Sequence, residues 1–156
     1  MWRGSLLFKM VVSPGRGANW SAAIGAQEVK GAEMTILHEK WFPDSRMERG
    51  DTLFSRLTAF KLDMQFDGNL VLYTEHMRPL WASGTVGTGF FARMQSDGNL
   101  VVYDVANRPV WASDTSGNPG AFLWCQDDGN LVLYQGGVDP RPETALWATN
   151  TCAGCG

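Results

Sequence analysis

Four side-chain types that can hold a polyol by hydrogen bonds recur three times in this chain at one spacing. Gln65, Asp67, Asn69 and Tyr73 are followed by Gln95, Asp97, Asn99 and Tyr103, and then by Gln126, Asp128, Asn130 and Tyr134. An ionised carboxylate accepts hydrogen bonds, carboxamides donate and accept, and a phenol does both. Each set also holds one valine: Val71, Val101 or Val132. Polar groups around a small apolar patch suit two adjacent hydroxyls on a sugar ring, which carries C–H surface beside its oxygens. Each set has one carboxylate and no second acid opposed to it, so it lacks the pair that glycoside hydrolysis needs. Turn-making by Asn and Asp accounts for one such set on its own. It does not account for three, because Gln and Tyr persist while the intervening Phe66, Ser96 and Asp127 differ.

These residues lie in a longer repeat, Q-x-D-G-N-L-V-[LV]-Y, beginning at Gln65, Gln95 and Gln126, with seven of nine positions identical in all copies. A regular spacing of about 30 residues is the signature of a repeat architecture. Each copy is followed by a W-A-[ST] segment: Trp81-Ala82-Ser83, Trp111-Ala112-Ser113 and Trp147-Ala148-Thr149. The third spacing is longer by an insertion, Gly136-Gly137-Val138-Asp139-Pro140-Arg141-Pro142. Asp-Gly is a hairpin signal. A three-residue loop, Phe66-Asp67-Gly68 with Gly68 left-handed, pairs Gln65 with Asn69, Met64 with Leu70 and Leu62 with Leu72. That register puts Leu62, Met64, Leu70 and Leu72 on one face, and Gln65, Asn69, Val71 and Tyr73 on the other. A two-residue loop would mix the faces, and register follows the buried face. By the same register Met94, Leu100 and Val102 face inward, as do Cys125, Leu131 and Leu133. Cys125 is therefore expected as a buried thiol. No single unit buries its apolar face alone, so Trp81, Trp111 and Trp147 are expected to meet around a pseudo-threefold axis.

The 156 residues make one domain, and an apolar fraction of 44% supplies a core. Only 19% of residues are charged and glycine is abundant, which fits an all-β fold with tight turns. A net charge of −3 without a basic stripe argues against nucleic acid as the main partner. No stretch approaches the ~20 apolar residues of a membrane span, so no membrane insertion is expected. Residues 1–35 form an N-terminal arm outside the repeat, with strand potential at Val29, Met34, Ile36 and Leu37, and residues 36–151 form the domain. The apolar start of the arm is broken by Lys9 and lacks a nearby cleavage site, so no signal peptide is expected. The localisation is then cytoplasmic, or reached by a non-standard export route. Asn19-Trp20-Ser21 matches a glycosylation sequon, which has meaning only after secretion. Residues 152–156 form a tail whose Cys152-Ala153-Gly154-Cys155 lacks the second pair or nearby histidine of a metal site. His38 and His76 join no nucleophile–base–orienter arrangement. The expectation is a protein that is not an enzyme and uses no metal or cofactor.

The triple Q-x-D-x-N-x-V-x-Y motif with its W-A-[ST] segments resembles the monocot mannose-binding, or bulb-type, lectin family over residues 36 to 151. The resemblance implies a β-prism II fold, with three four-stranded antiparallel sheets around a pseudo-threefold axis. It implies that Gln65, Asp67, Asn69 and Tyr73 bind mannose hydroxyls while Val71 meets the carbon face. The same roles fall to Gln95, Asp97, Asn99, Val101 and Tyr103, and to Gln126, Asp128, Asn130, Val132 and Tyr134. In the family the Asp and Asn read the axial 2-hydroxyl, which disfavours glucose. It also implies a multivalent binder of mannose-type glycans or surface polysaccharide, and a homodimer made by exchanging the strand around Trp147. The fold is also that of lectin-like bacteriocins and of cytoskeletal adaptors, two further readings. Mannan retention, killing of bacteria and co-sedimentation with filaments discriminate the three. The arm, the cysteine positions and the insertion depart from the family pattern. Trp124 stands on the site face where the other copies have Asp63 and Arg93, either as a stacking surface for sugar or as a surface for a partner chain.

Overall fold

The computed structural model describes residues 10–12 and 34–152, with side chains from residue 39 onward. The Asn19-Trp20-Ser21 sequon, Lys9, Val29 and Cys155 lie outside the described residues.

The N-terminal segment contributes β1 (Met10–Val12) and β2 (Met34–His38), then three short strands, β3 (Lys40–Trp41), β4 (Arg46–Glu48) and β5 (Thr52–Phe54). The first repeat supplies β6 (Phe60–Met64), β7 (Leu70–Thr74) and β8 (Pro79–Ala82). The second supplies β9 (Phe91–Met94), β10 (Leu100–Tyr103) and β11 (Pro109–Ala112). The third supplies β12 (Phe122–Cys125), β13 (Leu131–Tyr134) and β14 (Ala145–Ala148). A 3-10 turn at Pro142–Thr144, starting at the last residue of the insertion, is the one helical element among the described residues.

Each repeat forms a three-stranded antiparallel meander, and each meander takes its fourth strand from the segment before the repeats. β5 pairs with β6, β4 with β9 and β3 with β12, all antiparallel. Three consecutive short strands therefore close three different sheets. The first sheet is extended further, in the order β1-β2-β5-β6-β7-β8. There the expected four-stranded antiparallel pattern is exceeded, because β2 runs parallel to β5. The arm thus adds β1 and β2 to the free edge of β5, which would otherwise present unpaired backbone groups. β14 pairs with β13 of its own chain.

The hairpin register is the one the faces demand. Met64 pairs with Leu70 and Leu62 with Leu72. Leu62, Met64, Leu70, Leu72, Met94, Leu100, Val102, Cys125, Leu131 and Leu133 are all fully buried in one core. Trp41 and Met47, from β3 and β4, join it, so the closing strands are also pinned by burial. At the axis Trp81, Trp111 and Trp147 meet edge-on, with ring centroids 5.3, 5.4 and 5.7 Å apart. Edge-to-face contact is the favoured geometry for aromatic pairs. These rings are half-buried and pack on the core from one side. Cys125 is a free thiol, and burial pushes its pKa up to about 12.

Candidate functional site

Each site begins as a turn. Gln65 N donates to Asn69 O at 2.8 Å, and Gly68 N donates to Gln65 O at 3.0 Å. The pattern repeats at Gln95 and Gln126. Gly68, Gly98 and Gly129 have φ of 91°, 91° and 88°, the left-handed region that glycine enters without strain. A Cβ on Gly68 would also collide with the backbone of Gly89, and one on Gly98 with the backbone of Asn118. The first two turns are thus pressed against the link to the next unit, and a Cβ on Gly129 would meet the Phe60 ring instead.

The turn fixes the aspartate. Asp67 Oδ1 accepts from Asn69 N at 2.9 Å, Asp97 Oδ1 from Asn99 N at 3.0 Å, and Asp128 Oδ1 from Asn130 N at 2.9 Å. The second carboxylate oxygen of each has no partner among these bonds, and all three residues are exposed. The asparagine is held from below. Asn69 Oδ1 accepts from Ser83 Oγ and from Thr85 N, both at 3.1 Å. Asn99 Oδ1 accepts in the same way from Ser113 and Thr115, and Asn130 Oδ1 from Thr149 and Thr151. A backbone N–H only donates, so the atom facing it is the carbonyl oxygen. The amide NH2 of each asparagine is therefore left as a donor on the site side.

The glutamine and tyrosine form a bridge. Gln65 Nε2 donates to the Tyr73 hydroxyl at 2.8 Å, Gln95 Nε2 to that of Tyr103 at 2.6 Å, and Gln126 Nε2 to that of Tyr134 at 3.0 Å. The phenolic proton and the glutamine carbonyl then remain for a ligand. A β-bulge falls immediately before each tyrosine, at Leu72/Tyr73, Val102/Tyr103 and Leu133/Tyr134. Bulges re-aim the side chains beside them.

The valines depart from expectation. Val71, Val101 and Val132 are only 2%, 2% and 3% exposed, so they do not present an open apolar patch. Val71 lies between Asp63 and Ala82 on the neighbouring strands, and the Gln65–Tyr73 bridge passes it on the same face. Valine lies at the floor between the polar groups.

Thr85, Thr115 and Thr151 were not among the sequence candidates, yet they brace every site. Their hydroxyls donate to the carbonyls of Gly68, Gly98 and Gly129 and bond the preceding Ser83, Ser113 and Thr149 hydroxyls. The signal was present as a threefold [ST]-x-T after each Trp-Ala. The middle residue of each, Gly84, Asp114 or Asn150, is left-handed.

Around this common frame the three units differ. In the first, Lys61 Nζ and Asp63 Oδ2 are 2.7 Å apart, and Thr52 Oγ1 donates to Asp63 Oδ1 at 2.7 Å. In the second, Phe91 stacks on Tyr103 at 5.0 Å, and the Arg46 guanidinium lies 3.6 Å from the Phe91 ring centre. In the third, Phe122 and Trp124 each lie 6.0 Å from Tyr134, and Lys40 Nζ lies 4.4 Å over Trp124. Tyr134 is consequently buried, whereas Tyr73 and Tyr103 are half-buried. Trp124 occupies the register position of Asp63 and Arg93, opposite Val132. Asp127, at the variable turn position, accepts from Leu57 N at 2.7 Å and pairs with Arg56 at 3.4 Å. That backbone N–H holds its carboxyl below the usual range, helped by Ser55 and Arg56.

No protein-family model matches the sequence, and no curated protein matches it. Among solved structures, the chain is similar to the Marasmius oreades lectin, with 32% identity and a TM-score of 0.66 over 74% of this chain and 96% of that one. It is similar to the monomeric monocot mannose-binding lectins of Gastrodia elata, with 34% identity and a TM-score of 0.63 over 74% and 99%. It is also similar to the mannose-specific agglutinin of snowdrop (Galanthus nivalis) bulbs, solved with methyl-α-D-mannoside, with 38% identity and a TM-score of 0.57 over 74% and 99%.

Proposed function

The chain belongs to the monocot mannose-binding, or bulb-type, lectin family, with its β-prism II fold, and from that premise we propose that it binds mannose-containing glycans, without catalysis, through three shallow sites. The observation that carries this reading is the threefold recurrence of one locked set of groups. In each set the Asn oxygen and one Asp oxygen are consumed by the fold. A second carboxylate oxygen and an amide NH2, two residues apart on one turn, remain for a ligand, together with a bridged Gln–Tyr pair. Two neighbouring hydroxyls answer that pattern: each donates to the carboxylate or the glutamine carbonyl and accepts from the amide or the phenol. The valine floor limits how deep a ring sits and keeps each site shallow. Shallow, mostly polar sites give weak single-site affinity, on the order of millimolar. Branched glycans that engage several sites gain strength by avidity. A dimer, as the family resemblance implies, would double the number of sites.

The test uses Asn→Asp, not Asn→Ala. Asn99→Asp keeps the oxygen that Ser113 and Thr115 need and replaces only the donor that faces the ligand. Retention on mannan is expected to fall stepwise through Asn69→Asp, Asn99→Asp and Asn130→Asp, and to vanish in the triple variant with the fold unchanged by circular dichroism. A triple variant that binds as the parent does refutes the site assignment.

A further inference from the structure

The first unit has side chains beside its site that the other two lack. A cleft of about 410 Å³ opens beside it, lined chiefly by Thr52, Lys61, Asp63, Gln65, Phe66 and Asp67. Its size falls in the ~300–1,000 Å³ range typical of small-molecule sites. Gln65 and Asp67 belong to the sugar site, so the cleft continues from it. A second cavity of similar size, about 420 Å³ at residues 137–144 in and just after the insertion, includes no site residue.

The cleft has a fixed polar floor and one apolar wall. The Lys61–Asp63 pair is mostly buried, with side chains 22% and 15% exposed, and Thr52 Oγ1 ties Asp63 down. An ammonium has three donors, and the ion pair with Asp63 does not exhaust them. The wall is Phe66, 79% exposed at the tip of the turn. Its ring rests on Gly50, where an added Cβ would come within 2.9 Å of Cζ. A large ring held open to solvent and backed by backbone is a stacking surface. The equivalent turn positions carry Ser96 and Asp127. The equivalents of Lys61 are Phe91 and Phe122, and those of Asp63 are Arg93 and Trp124. Wall and floor are thus both particular to the first unit.

We infer that this cleft is a subsite for a second, neutral pyranose, joined to the sugar bound by Gln65, Asp67, Asn69 and Tyr73. The inference rests on the sugar-binding reading above. The second ring lays its C–H face on Phe66 and its hydroxyls toward Lys61 and Asp63. The cleft holds Asp51, Asp63 and Asp67 against one lysine, so a sugar acid is disfavoured. The three sites are then unequal: the first selects by the penultimate residue as well as the terminal one.

The test isolates the first site in the full chain carrying Asn99→Asp and Asn130→Asp. Methyl α-mannoside and a panel of α-linked mannobiosides are titrated while amide resonances are followed by NMR. At least one disaccharide is expected to bind roughly fivefold tighter than the monosaccharide, a typical gain for one aromatic contact. It should also shift the Lys61, Asp63 and Phe66 amides, which the monosaccharide leaves in place. Phe66→Ser copies the residue of the second unit. It is expected to erase the gain while leaving monosaccharide affinity unchanged. Equal affinity for both sugars, a gain that survives Phe66→Ser, or equal weakening of both sugars overturns the subsite. Failure of methyl α-mannoside itself to move the Asp67 and Asn69 amides overturns the sugar site and the subsite together.

Discussion

The first and third units carry the same segment and present it to different surroundings. Both lock Asp on the backbone of Asn, Asn on a hydroxyl–threonine brace, and Gln on Tyr. Beside the first lies a polar floor of Thr52, Lys61 and Asp63; beside the third lie Phe122, Trp124 and Lys40. The difference shows where this fold tolerates change. The nine-residue segment serves core and site at once, with alternate residues assigned to each, so a change there costs on one face or the other. The outward positions of the strands on either side, Lys61 and Asp63 in the first unit and Phe122 and Trp124 in the third, are not tied to the core and are free to diverge. The three units therefore differ in the row beside the motif rather than within it.

The comparison is open to attack at several strengths. The sharpest outcome is all-or-none. Cys125 fills in the third unit the place that Met64 fills in the first, and burial, with Asp127 and Asp128 nearby, raises its pKa to about 12. A thiol reagent at mildly alkaline pH should leave Cys125 unmodified in the folded protein and label it fully in urea, read at that residue by peptide mass mapping. Labelling of Cys125 in the folded protein would mean that the third unit's core is looser than the first's. Next, Leu70→Ala and Leu131→Ala should each cost ~2–5 kcal/mol. Urea unfolding should show the two losses to be similar, and a large disparity would break the equivalence of the units on their inner face. Ser83→Ala and Thr149→Val remove the hydroxyl brace and should cost ~1–3 kcal/mol each. Either should also weaken mannan retention, and retention at the parent level would separate the brace from the site. The gentlest probe is Asp127→Ser, which gives the third turn the residue of the second. The folded carboxyl is held low by Leu57 N–H, so its contribution is present above the ordinary carboxylate range and lost as pH falls through the lowered value. Parent and variant should differ slightly at neutral pH and converge in acid.

The sequence made the repeat, its register and the core legible, because period-two apolar spacing and an Asp-Gly turn leave one arrangement that buries Leu70 and Leu72 together. The tryptophan triangle followed from recurrence alone. The closing strands did not. Lys40–Trp41 is too short to show a period, and its sheet is fixed by pairing with Trp124 and Leu123, far along the chain. The burial of Val71 was missed because alternation reports the face, not what neighbouring side chains place over it. Thr85 and its counterparts were written plainly after each Trp-Ala, but their role depends on a left-handed middle residue that spacing does not reveal. The cleft by Phe66 was invisible, since it needs Gly50 beneath the ring and Lys61 across the strand.

The segment that closes all three sheets, β3 to β5, is synthesised before any strand it pairs with among the repeats. At about 5–20 residues per second, a nascent chain carries β3 unmatched for seconds before β12 leaves the ribosome. Unpaired strands of any length invite pairing with other chains, and here the exposure is limited by brevity: β3 has two residues, β4 and β5 three each. Lengthening these strands would strengthen the finished prism and burden its birth. Their shortness limits the unpaired edge that the folding chain exposes.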